Sequence, residues 1–185
     1  MSPEAQHLRP IFLVGMMGSG KSTVGRRLAA ALGRPFIDAD RELEARCGVP
    51  IPTIFELEGE EGFRRREAAL IDDLTRRDGL VLATGGGAVL LEENRRHLRE
   101  RGCVVYLNAS VQDLWLRLRH DRARPLLRTA DPRRRIAELV EARGPLYQAC
   151  AHLTVLTGRQ PVERVVAEIV AALAGFPSQD LARNA

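Results

Sequence analysis

The segment Gly15-Met16-Met17-Gly18-Ser19-Gly20-Lys21-Ser22 follows a short apolar run, Ile11 to Val14, and opens into a helical pattern from Lys21 to Leu32. A glycine-rich turn between a buried strand and a helix start is the context a phosphate-binding P-loop requires. Glycines let the backbone wrap a phosphate, while loop N–H groups and the helix N-terminus supply positive potential. The G-x-x-x-x-G-K-S spacing places Lys21 at the outer phosphates and the Ser22 hydroxyl at a bridging Mg²⁺ ion. Gly18, Ser19, Gly20 and Thr23 complete the nucleotide-binding set. Of the 28 lysines and arginines in the chain, Lys21 is the only lysine. A chain that uses arginine everywhere else keeps one compact ammonium where a point charge suits better than a guanidinium fork.

Strand-like and helix-like segments alternate from end to end. Val24, Leu28 and Leu32 form one stripe, with Gly33 as the stop. Phe36 and Ile37 run into Asp38, and Leu80 to Ala83, Cys103 to Leu107 and Leu153 to Leu156 read as buried strands. Phe63, Leu70, Ile71 and Leu74 mark an amphipathic helix. Asp131 and Pro132 predict an N-cap and first-turn proline ahead of Ile136, Leu139 and Val140. Pro161 opens a last helix carrying Val165, Val166, Ile169, Val170 and Leu173. This alternation predicts an α/β fold, a parallel sheet with helices on both faces, and ligands beyond the carboxyl ends of the strands. Residues 1–175 read as one domain, with 176–185 a frayed tail.

At 185 residues the chain can bury a sizeable core. Neither a membrane-length apolar run nor a secretory leader is evident, so the expected home is the cytoplasm. The three cysteines, Cys47, Cys103 and Cys150, lie far apart without a CxxC pair, which disfavours disulfide and zinc readings. A net charge of +4 raises the question of nucleic acid. Basic residues are interleaved with acids, however, and aromatics are too scarce for a stacking platform, so no nucleic-acid partner is expected. Nothing in the pattern demands an obligate dimer, and a monomer is expected.

The second strand ends in Asp38-Ala39-Asp40. Residues two apart in extended chain point the same way, so both carboxylates could face the site, as metal and hydroxyl partners. Asp40 could equally cap the following helix. No acid closes the third strand, so Asp38 takes the metal role usually held there. Instead the chain continues Thr84-Gly85-Gly86-Gly87, where a ligand could approach the backbone closely. Arg64, Arg65 and Arg66 lie beside an apolar stripe. Arg122 to Arg128 lies between two helical segments, either as a closing loop that delivers an arginine to the phosphates or as a charged surface loop. Arg143 precedes Gly144-Pro145 and is expected at a helix break, which either aims it into a cleft or ends the helix.

Taken together, GMMGSGKST, FIDAD, FRRRE, TGGG, RPLL and RGPLY, in this order from Ile11 to Leu173, resemble the shikimate kinases. The resemblance implies a three-layer P-loop fold of the nucleoside-monophosphate-kinase type, with a five-stranded parallel sheet in the order 2-3-1-4-5 and a lid at about 120–131. It also implies ATP-dependent phosphorylation of the 3-hydroxyl of shikimate, with Mg²⁺ held by Ser22 and, through water, Asp38. Asp40 would bind the hydroxyls and act as base or orienter. Arg64 and Arg143 would hold the carboxylate, with Gly85, Gly86 and Gly87 against the ring and residues 38–70 as the substrate region. Lys21 and Arg124 would serve the phosphates, and Arg117 would stack near adenine. Ala39 stands where Ser or Thr is common. The stretch Leu156 to Pro161 lacks an acid found in many relatives, so its adenine contacts, with Arg159 as a candidate, depart from the pattern. A kinase for another polyol acid such as gluconate, or a non-catalytic nucleotide binder, is the competing expectation.

Overall fold

The computed structural model describes residues 9–120 and 129–175. Five strands form one parallel sheet: β1 (Ile11–Val14), β2 (Phe36–Asp38), β3 (Val81–Ala83), β4 (Cys103–Asn108) and β5 (Leu153–Leu156). Their spatial order is β2-β3-β1-β4-β5, the order expected from the resemblance. Among the described residues the helices are α1 (Lys21–Leu32), α2 (Ala39–Cys47), α3 (Ile51–Leu74), α4 (Glu92–Arg101), α5 (Val111–Leu118), α6 (Pro132–Cys150) and α7 (Val162–Ala174). A 3₁₀ turn spans Ala88–Leu90.

Strand side chains alternate between two apolar layers because successive residues point to opposite faces. Phe12, Val14, Leu82, Val104 and Tyr106 join the layer shared with α3, α4, α5 and α6. Ile11, Leu13, Val81, Val105 and Leu107 join the layer under α1 and α7. Both faces are therefore dry, which explains why these strands read as continuous apolar runs. Cys103 and Cys150 are buried free thiols within this core.

Helix ends follow local chemistry. Ser110 and Asp131 accept hydrogen bonds from the amides of Asp113 and Arg134, at 3.1 and 3.0 Å, and cap α5 and α6. Helix α1, like α3, α4 and α7, has no side-chain cap, and the residue before it is Gly20. In α1 the first-turn N–H groups are left without the side-chain acceptor that α5 and α6 have.

Two local expectations need correction. Asp38-Ala39-Asp40 is not extended throughout: β2 ends at Asp38, and Asp40 lies in the first turn of α2. The cap of α2 is Asp38, which accepts from the Arg41 amide at 3.4 Å. At Gly144-Pro145 there is no helix end, because α6 continues through Pro145 to Cys150. Tertiary contacts on Arg143 and Tyr147 hold that turn despite the lost backbone bond. Helix α3 contains the expected Phe63 and Leu70 face, but its backbone breaks at Gly59, where φ is 68°.

Gly102 joins α4 to β4 in an extended conformation open to any residue. A Cβ there would meet the ring of fully buried Phe12, with Cδ2 and Cζ at 2.7 Å. Gly102→Ala is therefore expected to overpack the core and cost about 1–3 kcal/mol. Urea unfolding should show the loss as a lower midpoint at unchanged slope.

Candidate active site

The loop between β1 and α1 turns through three glycines with positive φ: 147° at Gly15, 78° at Gly18 and 98° at Gly20. Side chains are disfavoured in that region, and a Cβ on Gly15 would also come within 2.6 Å of the Leu107 carbonyl oxygen. The loop is thus pressed on the end of β4. Lys21 Nζ donates to the carbonyls of Gly15 and Met16, at 2.8 and 2.9 Å, which folds the ammonium over the loop. Ser22 Oγ donates to Asp38 Oδ2 at 2.5 Å, so the end of β2 meets the start of α1. Ser19 is fully buried, whereas Thr23 is exposed. A cavity of about 470 Å³ runs along the loop, past Asp38 and Asp40, to Thr84 and Gly86. Both carboxylates of the D-A-D segment reach it, although strand geometry is not what places Asp40 there.

The second half of the site is a backbone shelf. A Cβ on Gly85 would lie 2.8 Å from both Asp40 Oδ1 and Glu67 Oε1, so those two carboxylates converge on one glycine. On Gly87 a Cβ would collide with the Arg64 guanidinium, whose Cζ would be 2.8 Å away. Arg143 Nη1 donates to the Gly86 carbonyl at 3.3 Å. Three successive glycines therefore meet an acid pair, an arginine and a second arginine, and at Gly85 and Gly87 the approach needs the absent side chain.

Glu67 was not anticipated by the sequence reading. It is 4% exposed and accepts from Arg64 Nη1 at 2.6 Å. Burial pushes its carboxyl above the usual range, opposed by the Arg64 charge. A signal was present: Arg64 and Glu67 are three apart on one helix and so share a face. Arg64 also lies over the Phe63 ring, 5.1 Å from its centroid, and its buried Nε has no hydrogen-bond partner. Its Nη2 lies 3.4 Å from Glu60 Oε1, so two carboxylates fix the plane of the guanidinium.

At the opposite end of the cavity, Arg117 Nη1 donates to the Gly18 carbonyl at 3.0 Å. Its Nη2 donates to the carbonyls of Thr157 and Gly158, the latter at 2.6 Å. Arg117 thereby clasps the P-loop to the loop after β5. Gln160 lines the cavity from that loop and Val162 from the start of α7, whereas Arg159 is exposed and outside the lining. Arg124, and with it most of the expected lid, falls outside the described residues.

Among the described residues no cluster of three or more His, Cys, Asp or Glu side chains could hold a metal ion. The Ser22 hydroxyl beside the Asp38 carboxylate is a two-oxygen set. That suits a Mg²⁺ ion, which keeps several waters and takes its other ligands from substrate phosphates.

A shikimate kinase family model matches residues 17–174. A shikimate kinase of Bordetella avium is 57% identical over 178 residues, covering 95% of this chain and 85% of that protein. The structure of shikimate kinase from Acinetobacter baumannii in complex with shikimate superimposes with a TM-score of 0.88 at 45% identity, over 91% of this chain and 94% of that one. A gluconokinase from Sinorhizobium meliloti, at 25% identity over 91% and 93% of the two chains, superimposes with a TM-score of only 0.58. With the P-loop, the paired carboxylates and the arginine-bearing glycine shelf at the carboxyl edge of one sheet, this chain belongs to the shikimate kinase family.

Proposed function

We propose that this chain transfers the γ-phosphoryl group of ATP to the 3-hydroxyl of shikimate, giving shikimate 3-phosphate and ADP. One observation carries the reading: the cavity along the anion-binding loop passes Asp38 and Asp40 to Gly86, and Gly86 bonds Arg143 and lies between Gly85, against Asp40 and Glu67, and Gly87, against Arg64. ATP would lie along Gly18 to Thr23, with its base at Arg117 and its outer phosphates under Lys21. Ser22 and Asp38 would hold Mg²⁺, which when bound neutralises charge between the outer phosphates.

The acceptor is a small ring bearing one carboxylate and several hydroxyls. Arg64 and Arg143 bind the carboxylate, since the planar fork matches its two oxygens. Gly85, Gly86 and Gly87 let the ring lie against backbone. Asp40 accepts the hydroxyl proton, or orients that hydroxyl, as its oxygen forms the new P–O bond and the bond to the β–γ bridging oxygen breaks. Lys21 and the α1 amides neutralise charge on the transferring group without reorganising. Arg124, from the expected lid, would add a second cation at the phosphates. The same reading places the enzyme in the cytoplasm as a monomer. Among the described residues no helix is long and apolar enough to cross a membrane.

A coupled ADP-release assay with ATP, Mg²⁺ and a panel of hydroxy acids tests the assignment: shikimate should exceed gluconate by orders of magnitude in kcat/KM. Equal use of several acceptors would overturn it. Lys21→Ala should lower kcat about 10²–10³-fold, the cost typical of removing one preorganised charge donor. Arg64→Lys should raise KM for shikimate about tenfold with KM for ATP little changed, because the fork is lost while the charge remains. Asp40→Asn should depress kcat severely while a fluorescent ATP analogue still binds; near-normal turnover would remove Asp40 from the proton's path.

A further inference from the structure

The RGPLY segment contributes Arg143 to the proposed carboxylate site, but its tyrosine has no role in the chemistry above. Tyr147 is fully buried. It lies four residues after Arg143 in α6, on the same helix face. Its hydroxyl donates to the Gly86 carbonyl at 2.5 Å, the same oxygen that accepts from Arg143 Nη1 at 3.3 Å. The hydroxyl also lies 3.7 Å from the Met16 sulfur in the P-loop. Its ring stacks on Tyr106 of β4 with centroids 5.1 Å apart. Gly86 itself rests on the P-loop: a Cβ there would be 3.4 Å from the Met17 nitrogen and 3.7 Å from the Gly15 carbonyl oxygen.

We propose that Tyr147 is a positioning residue for the acidic-alcohol substrate, setting the Gly85–Gly87 shelf and the Arg143 guanidinium in register with the P-loop through the Gly86 carbonyl. The phenol touches neither substrate and acts only through these groups. Two donors from one helical turn converge on one acceptor, so the distance between shelf and carboxylate clamp is held by a single oxygen. Proximity to the Met16 sulfur ties that oxygen to the loop that grips the nucleotide. Small errors in this distance displace the acceptor hydroxyl from the phosphorus, to which transfer rates are steeply sensitive. Burial pushes the phenol up to about 12, so the hydroxyl keeps its proton and remains a donor throughout the working range. The neighbouring Tyr106 hydroxyl bonds to Asn108 Oδ1, at 3.2 Å, and supplies a control of similar chemistry without a link to Gly86.

This inference rests on the shikimate reading, and the experiment separates the two. Steady-state kinetics of the wild type, Tyr147→Phe and Tyr106→Phe are measured with shikimate and ATP varied in turn, alongside thermal unfolding. A wild type that does not phosphorylate shikimate overturns the function; the remaining outcomes concern Tyr147 alone. Tyr147→Phe keeps the stacked ring and removes one oxygen. It should raise KM for shikimate about tenfold, as expected for one buried hydrogen bond, with KM for ATP within about twofold. Tyr106→Phe should leave both constants within about twofold. A KM for shikimate unchanged in Tyr147→Phe, whatever its melting temperature, assigns the residue to stability and overturns the proposal, as does an equal rise in both constants. Hydrogen exchange on the wild type gives a measurement independent of any variant. Shikimate alone should slow exchange in peptides covering 84–88 and 143–150 together, and protection of 84–88 without 143–150 would sink the link.

Discussion

Parallel registry at the centre of the sheet is the constraint on which the site depends. β1 pairs with β3 on one side and β4 on the other, with Leu13 opposite both Ala83 and Val105. Because all strands run the same way, their carboxyl ends open along one edge, and the segments that leave them are forced together. The P-loop leaves β1, Asp38 ends β2, and Thr84 to Gly87 leave β3. Thr84 reinforces the edge by donating both its amide and its hydroxyl to the Leu13 carbonyl, at 3.1 and 3.0 Å. Apolar packing on both faces stabilises the sheet, while the polar edge does chemistry.

Each charged group named at that edge is held by a hydrogen-bond partner. Lys21 lies over carbonyl oxygens and Ser22 meets Asp38. Arg64 meets Glu67, and Arg143 bonds the Gly86 carbonyl. Burying an ion pair gains little stability, because desolvation offsets the Coulomb attraction. Its worth here is orientation: Glu67 on Nη1 and Glu60, 3.4 Å from Nη2, fix the plane of the Arg64 fork beside Gly87, so an arriving anion meets an oriented guanidinium. Preorganised groups of this sort contribute to catalysis because they do not rearrange as charge moves.

The uncapped start of α1 belongs to the same scheme. Asp38, Ser110 and Asp131 occupy the first-turn amides of their helices, and a comparable side chain before α1 would compete with a phosphate for the same donors. Gly20 has no side chain to compete. Arg117 then joins this loop to the segment after β5, at the end of the cavity away from Thr84 and Gly86, without drawing on the helix N-terminus.

Local rules are enough for the strands, for the bounds of α1 and α7, for the start of α6 and for the P-loop, because apolar periodicity, capping and glycine spacing act over a few residues. Lys21, Ser22 and Asp38 were legible for that reason, and the resemblance in motif order selected Arg64 and Arg143 from many arginines. Where local rules failed, tertiary packing had decided. Strand parity suggested that Asp38 and Asp40 point alike, yet the helix begins between them and both reach the cavity by different geometry. Pro145 should end α6 by backbone sterics alone, but Arg143 and Tyr147 tie that turn to Gly86 and the helix continues. Glu67 pairs with Arg64 only three residues away, but its approach to Gly85, 18 positions on, and the bond of Tyr147 to Gly86, 61 positions back, are not legible in local pattern. The chain alone thus determined the elements and the chemistry of the loop; only the folded sheet decided which charges meet, because contact between distant residues depends on how layers pack.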